Sequence, residues 1–186
     1  MKLSEQFIIT TTGKKLYPFC ISESQIDIED IATTLSFMPR FGGKLTRFYS
    51  VAEHSILVSE LCPDQFRLTG LLHDAAEAYI MDMPTPIKTG LPDYQELEQE
   101  IYAVIARKFN IDFLLPKEVK DADEHALIFE AEQVAPYVSQ CLPKARYHLT
   151  PAQNRVFFTP RPPEKVKEDF LDLFHFLTEQ RKKNAN

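Results

Sequence analysis

Apolar residues recur along this chain at helical spacing, and short breaks rich in Pro, Gly and Asp interrupt them, which predicts a set of packed helices. Asp27 can cap a first helix that ends before Pro39. Ser50-x-x-Glu53 is a capping box, so the next helix starts at Val51 and runs to about Leu61, with Val51, His54, Val58 and Leu61 on one face. Leu68, Leu71, Leu72, Ala75, Ala76 and Tyr79 make the apolar stripe of a helix from about Gln65 to Ile80. Met83-Pro84-Thr85-Pro86 then breaks the chain. A long helix is predicted from Asp93 to Phe109, with Leu97, Ile101, Val104 and Ile105 inward. Another follows Pro116 and aligns Val119, Asp123, Ala126, Leu127 and Glu130. Pro136 to Pro163 reads as irregular with a strand at Val156-Phe157-Phe158. Pro163 to Arg181 closes as an amphipathic helix bearing Phe170, Leu173, Phe174 and Leu177. Near the start, alternation between Phe7 and Cys20 around Thr12-Gly13-Lys14 predicts a short hairpin. The fold class is therefore all-α, a helical bundle with one small hairpin. At 186 residues the chain suits one domain, residues 1–186, and is short for two.

Some polar positions break this pattern. His73, Asp74 and Glu77 share the arc opposite the apolar stripe of their helix, spread over about 100°. Such an arc is also what an ordinary solvated helix face presents. His54, however, falls on a face that should be buried, and Asp123 falls in a core-facing stripe, where a carboxylate is costly unless paired or metal-bound. One explanation covers all three helices: His54, His73, Asp74 and Asp123 surround a divalent ion. Two imidazoles and two carboxylates would neutralise it and leave positions for water and phosphate. His125 is two residues from Asp123 and points to another face, and His148 and His175 read as structural or exposed, so one ion is expected. Co²⁺, Mn²⁺ and Zn²⁺ all suit these ligands.

The order His54, His73-Asp74, Asp123 resembles the H…HD…D signature of the HD-domain metal-dependent phosphohydrolases. Longer strings extend the likeness: Asp27-Ile28-Glu29-Asp30-Ile31-Ala32, Arg40-Phe41-Gly42-Gly43, Phe48-Tyr49-Ser50-Val51-Ala52-Glu53-His54-Ser55, and His73 through Lys88. Between Thr10 and Val134 the chain is similar to the small single-domain HD hydrolases of phages and bacteria, in particular the 5′-deoxynucleotidases and the phage deoxynucleoside triphosphohydrolases. The resemblance implies an HD-domain helical bundle, a homo-oligomer, and hydrolysis of deoxynucleoside 5′-phosphates. The products would be nucleoside from a monophosphate, or nucleoside plus triphosphate as in the phage dATP triphosphohydrolases. It also implies roles. Glu77 would orient or deprotonate the attacking water, and Asp82 would orient the leaving sugar oxygen or the ribose. Arg40 would clamp phosphate in bidentate fashion. Lys88, after the Pro-Thr-Pro turn, could reach the same anion, while Phe41 and Phe48 could stack on a base. One departure is Lys44, where such hydrolases usually carry His: either the lysine substitutes as a cation or the substrate preference differs. Two other readings are a non-catalytic metal or nucleotide sensor on the same scaffold, and a hydrolase of cyclic nucleotides or guanosine tetraphosphate.

Composition narrows the partners. A net charge of −6 argues against non-specific nucleic-acid binding, which needs a basic surface, but a small nucleotide is compatible because local charges set the field where it binds. No apolar run of membrane-spanning length and no leader-like start are present. Cys20, Cys62 and Cys141 show no Cys-x-x-Cys spacing and read as reduced thiols of a cytoplasmic protein. His-Glu-x-x-His and the Gly-rich phosphate loop ending Gly-Lys-Ser/Thr are both missing, which removes the zincin protease and P-loop readings.

Overall fold

Asp27 and Ser50 start the first two helices of the bundle. Asp27 accepts a hydrogen bond from the Glu29 backbone N–H (3.0 Å) and opens α1, Ile28–Phe37. Ser50 and Glu53 form the full reciprocal capping box that opens α2, Val51–Leu61. The computed structural model describes residues 2–145 and 148–184. Beyond α2 it contains α3 (Arg67–Leu72), α4 (Glu77–Ile80), α5 (Thr85–Lys88), α6 (Pro92–Phe109), α7 (Lys117–Val134), α8 (Pro136–Ser139), α9 (Pro151–Phe158) and α10 (Pro163–Asn184). The all-α expectation holds. The hairpin is present too: β1 (Ile8–Ile9) and β2 (Lys15–Leu16) pair antiparallel, with Ile8 opposite Leu16. Buried Asp30 ties its turn to α1 by accepting from Thr11 Oγ1 and from the N–H and Oγ1 of Thr12.

α2 is the central element. Val51, Ala52 and Ile56 belong to a core shared with α1, α3, α6 and α10, including Ile31, Leu35, Leu71, Leu72, Ile105 and Phe170. Leu57 and Val58 belong to a second core under α7, with Val119, Phe129 and Phe158. Every residue from Val51 to Ser59 is consequently buried, the polar Glu53, His54, Ser55 and Ser59 among them. Burying an apolar side chain of this size stabilises by roughly 1.5–3 kcal/mol, and two cores acting on one short helix offset the cost of taking its polar groups out of water. Arg161 ties the chain before α10 to this helix, with Nη2 3.7 Å from Glu53 Oε1 and Nη1 2.8 Å from Asp169 Oδ2.

Two expected elements are corrected. The helix expected from Gln65 to Ile80 is divided. α3 stops at Leu72, the His73–Ala76 stretch tightens into turns, and α4 resumes at Glu77. In that stretch the backbone switches to i→i+3 bonds, Ala75 N to Leu72 O and Glu77 N to Asp74 O, both 3.0 Å, the tighter spacing that often marks a functional segment. The strand expected at Val156-Phe157-Phe158 is instead the end of α9. Thr150 caps α9 in a box with Gln153, and Pro151 occupies the first helical position, a start signal that outweighs the β-propensity of the aromatics. The other expected helices occur close to their predicted limits, and Phe170, Phe174 and Leu177 of α10 are buried. Among the described residues no helix is long and apolar enough to cross a membrane.

Gly70 sets the approach of α3 to α2. A Cβ there would lie 2.8 Å from Cys62 Sγ and 3.3 Å from Ser59 Cα, leaving no room for a methyl group. Gly70→Ala is expected to lower unfolding stability by about 1–3 kcal/mol in a urea titration; a variant as stable as wild type would contradict this close contact.

Candidate metal centre

His54, on the first turns of α2, and His73, just past the end of α3, meet ring to ring in the interior. His54 Nδ1 donates to Glu130 Oε1 at 2.8 Å, and His73 Nδ1 donates to the Gly70 carbonyl at 2.8 Å. A carbonyl and a carboxylate are acceptors, so these partners assign the ring protons to Nδ1 and leave the lone pairs on Nε2. The two Nε2 atoms face each other at 3.2 Å. Asp74 Oδ2 lies 3.4 Å from His54 Nε2 and 3.2 Å from His73 Nε2. Asp123 Oδ1 lies 3.2 and 3.9 Å from the same two atoms. The tightest mutual group is His54, His73 and Asp123, whose ligand atoms all fall within 4.8 Å of one another. Asp74 joins through both imidazole nitrogens. All four expected ligands thus converge, although His73 and Glu77 are buried instead of lining the solvated arc that the helix pattern suggests.

This donor set fits a divalent cation. Two imidazole lone pairs pointing at each other across 3.2 Å repel unless a proton or a metal ion lies between them. Each ring has its outer nitrogen tied down, the arrangement that orients metal-binding histidines. Burial and Arg40 oppose protonation of His54, yet Glu130, Asp123 and Asp74 outweigh them and hold its imidazole well above its ordinary range. Burial likewise opposes protonation of His73, but Asp74 and Asp123 carry its pKa upward. Against the cost of burial, the two imidazoles hold the Asp74 carboxyl well below the usual carboxylate range, and Asp123 is lowered in the same way. The pocket therefore concentrates negative charge and takes up positive charge.

The remaining candidates frame this cluster unevenly. Glu77 is buried, and burial, then Asp74 and Asp82, lift its carboxyl well above the usual range against the pull of Arg40 and Lys88. Its Oε2 has no hydrogen-bond partner among the described residues. Burial also raises the Asp82 carboxyl, with Arg40 opposing and Asp74 adding to the rise. Lys88 reaches Glu77 Oε1 (3.7 Å) but is held more closely by Glu98 Oε1 (2.7 Å). α6 fixes the whole 81–91 segment, as Tyr94 Oη donates to the Met81 carbonyl and Gln95 Nε2 to the Lys88 carbonyl. Burial works against the charge of Arg40, but Glu130, Asp74, Asp123 and Asp82 outweigh it and hold the guanidinium above its ordinary value.

Arg40 leads into an unusual turn. Phe41, Gly42 and Gly43 have φ of 55°, 57° and 77°, three successive left-handed residues of which only two are glycine. The Phe41 position costs on the order of 1–3 kcal/mol and sets its ring 5.5 Å from the Arg40 guanidinium. Lys44 is exposed. Its Nζ lies 3.2 Å from where a Gly42 Cβ would stand, on the Pro84 side, and none of its contacts among the described residues is with the four candidate ligands. Phe48 is 42% exposed. His125 bonds to the Asp121 carbonyl, away from the cluster.

Two residues with no role in the sequence reading stand out here. Glu130 shares its stripe with Asp123, which was a usable signal, whereas Glu98 sits in a helix whose pattern announces only apolar packing. A surface cavity of about 760 Å³ between Asp64–Leu68 and the end of α10 holds none of the candidate ligands, and its arginines are already engaged with Glu60 and the Asn110 carbonyl. The chemistry lies elsewhere.

Comparison with known proteins finds relatives of this chain. The chain is 38% identical over 176 residues to the uncharacterized protein YfdR of Escherichia coli (strain K12), covering 95% of this chain and 98% of that protein. The chain belongs to the family of YfdR. At greater distance, it is 29% identical over 90 residues to the 5′-deoxynucleotidase PBPRA2627 of Photobacterium profundum, covering 43% of this chain and 46% of that protein. It is 26% identical over 174 residues to a 5′-deoxynucleotidase of Vibrio cholerae serotype O1, covering 83% and 79%. No family model matches the chain.

Because His54 and His73 hold protons strongly when no cation is present, binding of a divalent ion should release protons. Calorimetry of Co²⁺ binding in buffers of different ionisation enthalpy is expected to show that release, with affinity falling as pH is lowered. Asp74→Ala and Asp123→Ala are each expected to abolish Co²⁺ binding in the same titration; full affinity in either would remove that residue from the centre.

Proposed function

We propose that this chain is a metal-dependent phosphohydrolase that acts on deoxynucleoside 5′-phosphates and releases orthophosphate from the monophosphates. The observation that carries the reading is the pair of buried Nε2 atoms 3.2 Å apart, with Asp74 and Asp123 against both and Arg40 alongside. The names of the more distant relatives, 5′-deoxynucleotidase, support this substrate class over the sensor and cyclic-nucleotide alternatives. His54, His73, Asp74 and Asp123 would hold one Co²⁺, Mn²⁺ or Zn²⁺. Bound there, the ion supplies Lewis acidity to the phosphoryl oxygens and to water.

The chain's own residues do the rest. Arg40, already charged and half-surrounded by acids, takes the phosphate oxygens. Glu77, whose proton affinity is raised by burial and whose Oε2 lacks a hydrogen-bond partner among the described residues, would hold the attacking water as the carboxylate and take up its proton. Asp82 faces the leaving oxygen or the sugar, and Phe41 offers a ring beside Arg40 for the base. Lys88 adds positive charge on the Glu77 side, and Lys44 supplies a more distant cation. The protein would work in the cytoplasm as a homo-oligomer of one domain per chain, on free nucleotides.

Chromatographic separation of products from metal-repleted protein, given a panel of deoxy- and ribonucleoside mono- and triphosphates, tests this. Orthophosphate from deoxynucleoside monophosphates is expected. Intact triphosphate would move the chemistry to dNTP hydrolysis, and no turnover with any of the three metals would contradict the enzyme reading. In the active protein, Glu77→Gln should lower kcat by about 10²–10⁴-fold with the metal retained. Arg40→Ala should lower kcat/KM mainly through KM; unchanged kinetics in either variant would remove the role assigned to it.

A further inference from the structure

We infer that Glu130 is a positioning residue that joins the two halves of this site: its Oε1 fixes the imidazole of His54, and its Oε2 holds the guanidinium of Arg40. The inference rests on the metal-centre reading above and goes beyond it to a residue outside the H…HD…D pattern.

Glu130 lies seven residues after Asp123, two turns further along the same face of α7. One helix thereby contributes a candidate ligand and, about 10 Å along its axis, the partner of another ligand carried by α2. Glu130 is fully buried, as are Ala126 and Val134 one turn before and after it on the same face. A carboxylate in such surroundings is retained only if its oxygens are matched. Oε1 is matched at 2.8 Å by His54 Nδ1. Oε2 and Arg40 Nε are both buried and neither has a hydrogen-bond partner among the described residues; they face each other as an ion pair at 3.5 Å. Because Glu130 takes Arg40 by Nε, and no hydrogen bond engages Nη1 or Nη2 among the described residues, the outer edge of the guanidinium stays available for an anion.

This geometry has a chemical consequence. An acceptor carboxylate on Nδ1–H raises the electron density at Nε2 and fixes the ring plane, so it strengthens whatever Nε2 binds. The same carboxylate orients the arginine. The spacing between the ion's position and the phosphate clamp is then set by one side chain, and loss of that side chain should weaken both sides together. Loss of Arg40 alone should weaken only the anion side.

Glu130→Gln keeps the shape and an acceptor for Nδ1–H but removes the charge. With Co²⁺ as the probe, its affinity is expected to fall by about 10–100-fold relative to wild type, and at saturating Co²⁺ the KM for a deoxynucleoside monophosphate should rise. Arg40→Ala should raise KM without that loss of Co²⁺ affinity. A folded Glu130→Gln variant with Co²⁺ affinity within about twofold of wild type, well short of the loss expected from such a partner, would overturn the inference and leave the metal-centre reading standing. Wild-type protein that binds no Co²⁺ would remove both. Should Glu130→Gln fail to fold, imidazole ¹H–¹⁵N spectra of Zn²⁺-loaded wild type decide the matter. A slowly exchanging proton on His54 Nδ1 is expected, and a His54 Nδ1 that carries the metal or exchanges freely with water would overturn the inference.

Discussion

Two imidazole nitrogens brought to within contact distance in a protein interior are the constraint around which this molecule is arranged. At that distance the pair calls for a shared cation, a proton or a metal ion, and the carboxylates around it favour either. The fold brings them to 3.2 Å, and it does so from three directions. α2 is clamped between two apolar cores, α3 is drawn onto it at Gly70, and α7 lays Asp123 and Glu130 along its side. The packing of these three helices sets the separation of the two rings. The capping box at Ser50 and Glu53 and the Arg161 tie to Glu53 make the same point at the mouth of α2. They fix the helix start only four residues before His54.

Electrostatics around this pair would let an acidic chain accept the anionic substrate proposed for it. Glu77 and Asp82 have carboxyls pushed upward by burial, while Asp74 and Asp123 are drawn down by the imidazoles they touch. Asp74, Glu77 and Asp82, carboxyls of one helix–turn segment, are thus driven apart in proton affinity, a division that would separate charge-holding from proton-moving groups. Arg40 stands among them as a half-buried cation, its Nε 3.5 Å from Glu130 Oε2. The overall charge of −6 then governs long-range behaviour, whereas a bound divalent ion and Arg40 would set the field at the substrate's own distance.

Much of this was legible beforehand, for identifiable reasons. Caps are local chemistry, so α1 and α2 start where Asp27 and Ser50 predict, and the Thr12-Gly13-Lys14 turn closes the hairpin as its residues suggest. His54 and Asp123 were conspicuous because each interrupts an apolar stripe. What the pattern misjudged depends on tertiary context. The arc holding His73 and Glu77 looks solvated on a lone helix, but both residues are buried, His73 against His54 of α2. The break at His73–Ala76 carries no Pro or Gly signal, and there the Ala75 and Glu77 amides bond three residues back. Val156-Phe157-Phe158 has strand-like composition, yet the Thr150–Gln153 box dictates a helix. Glu130 was visible as a member of the Asp123 stripe, but its task appears only when Arg40 and His54 arrive on either side of it.

Anomalous diffraction at the cobalt absorption edge, from crystals of Co²⁺-loaded protein, addresses the central claim most directly. One peak is expected between His54 Nε2 and His73 Nε2, within coordination distance of Asp74 and Asp123. A peak elsewhere, or none at this position in crystals that contain cobalt, would contradict the account.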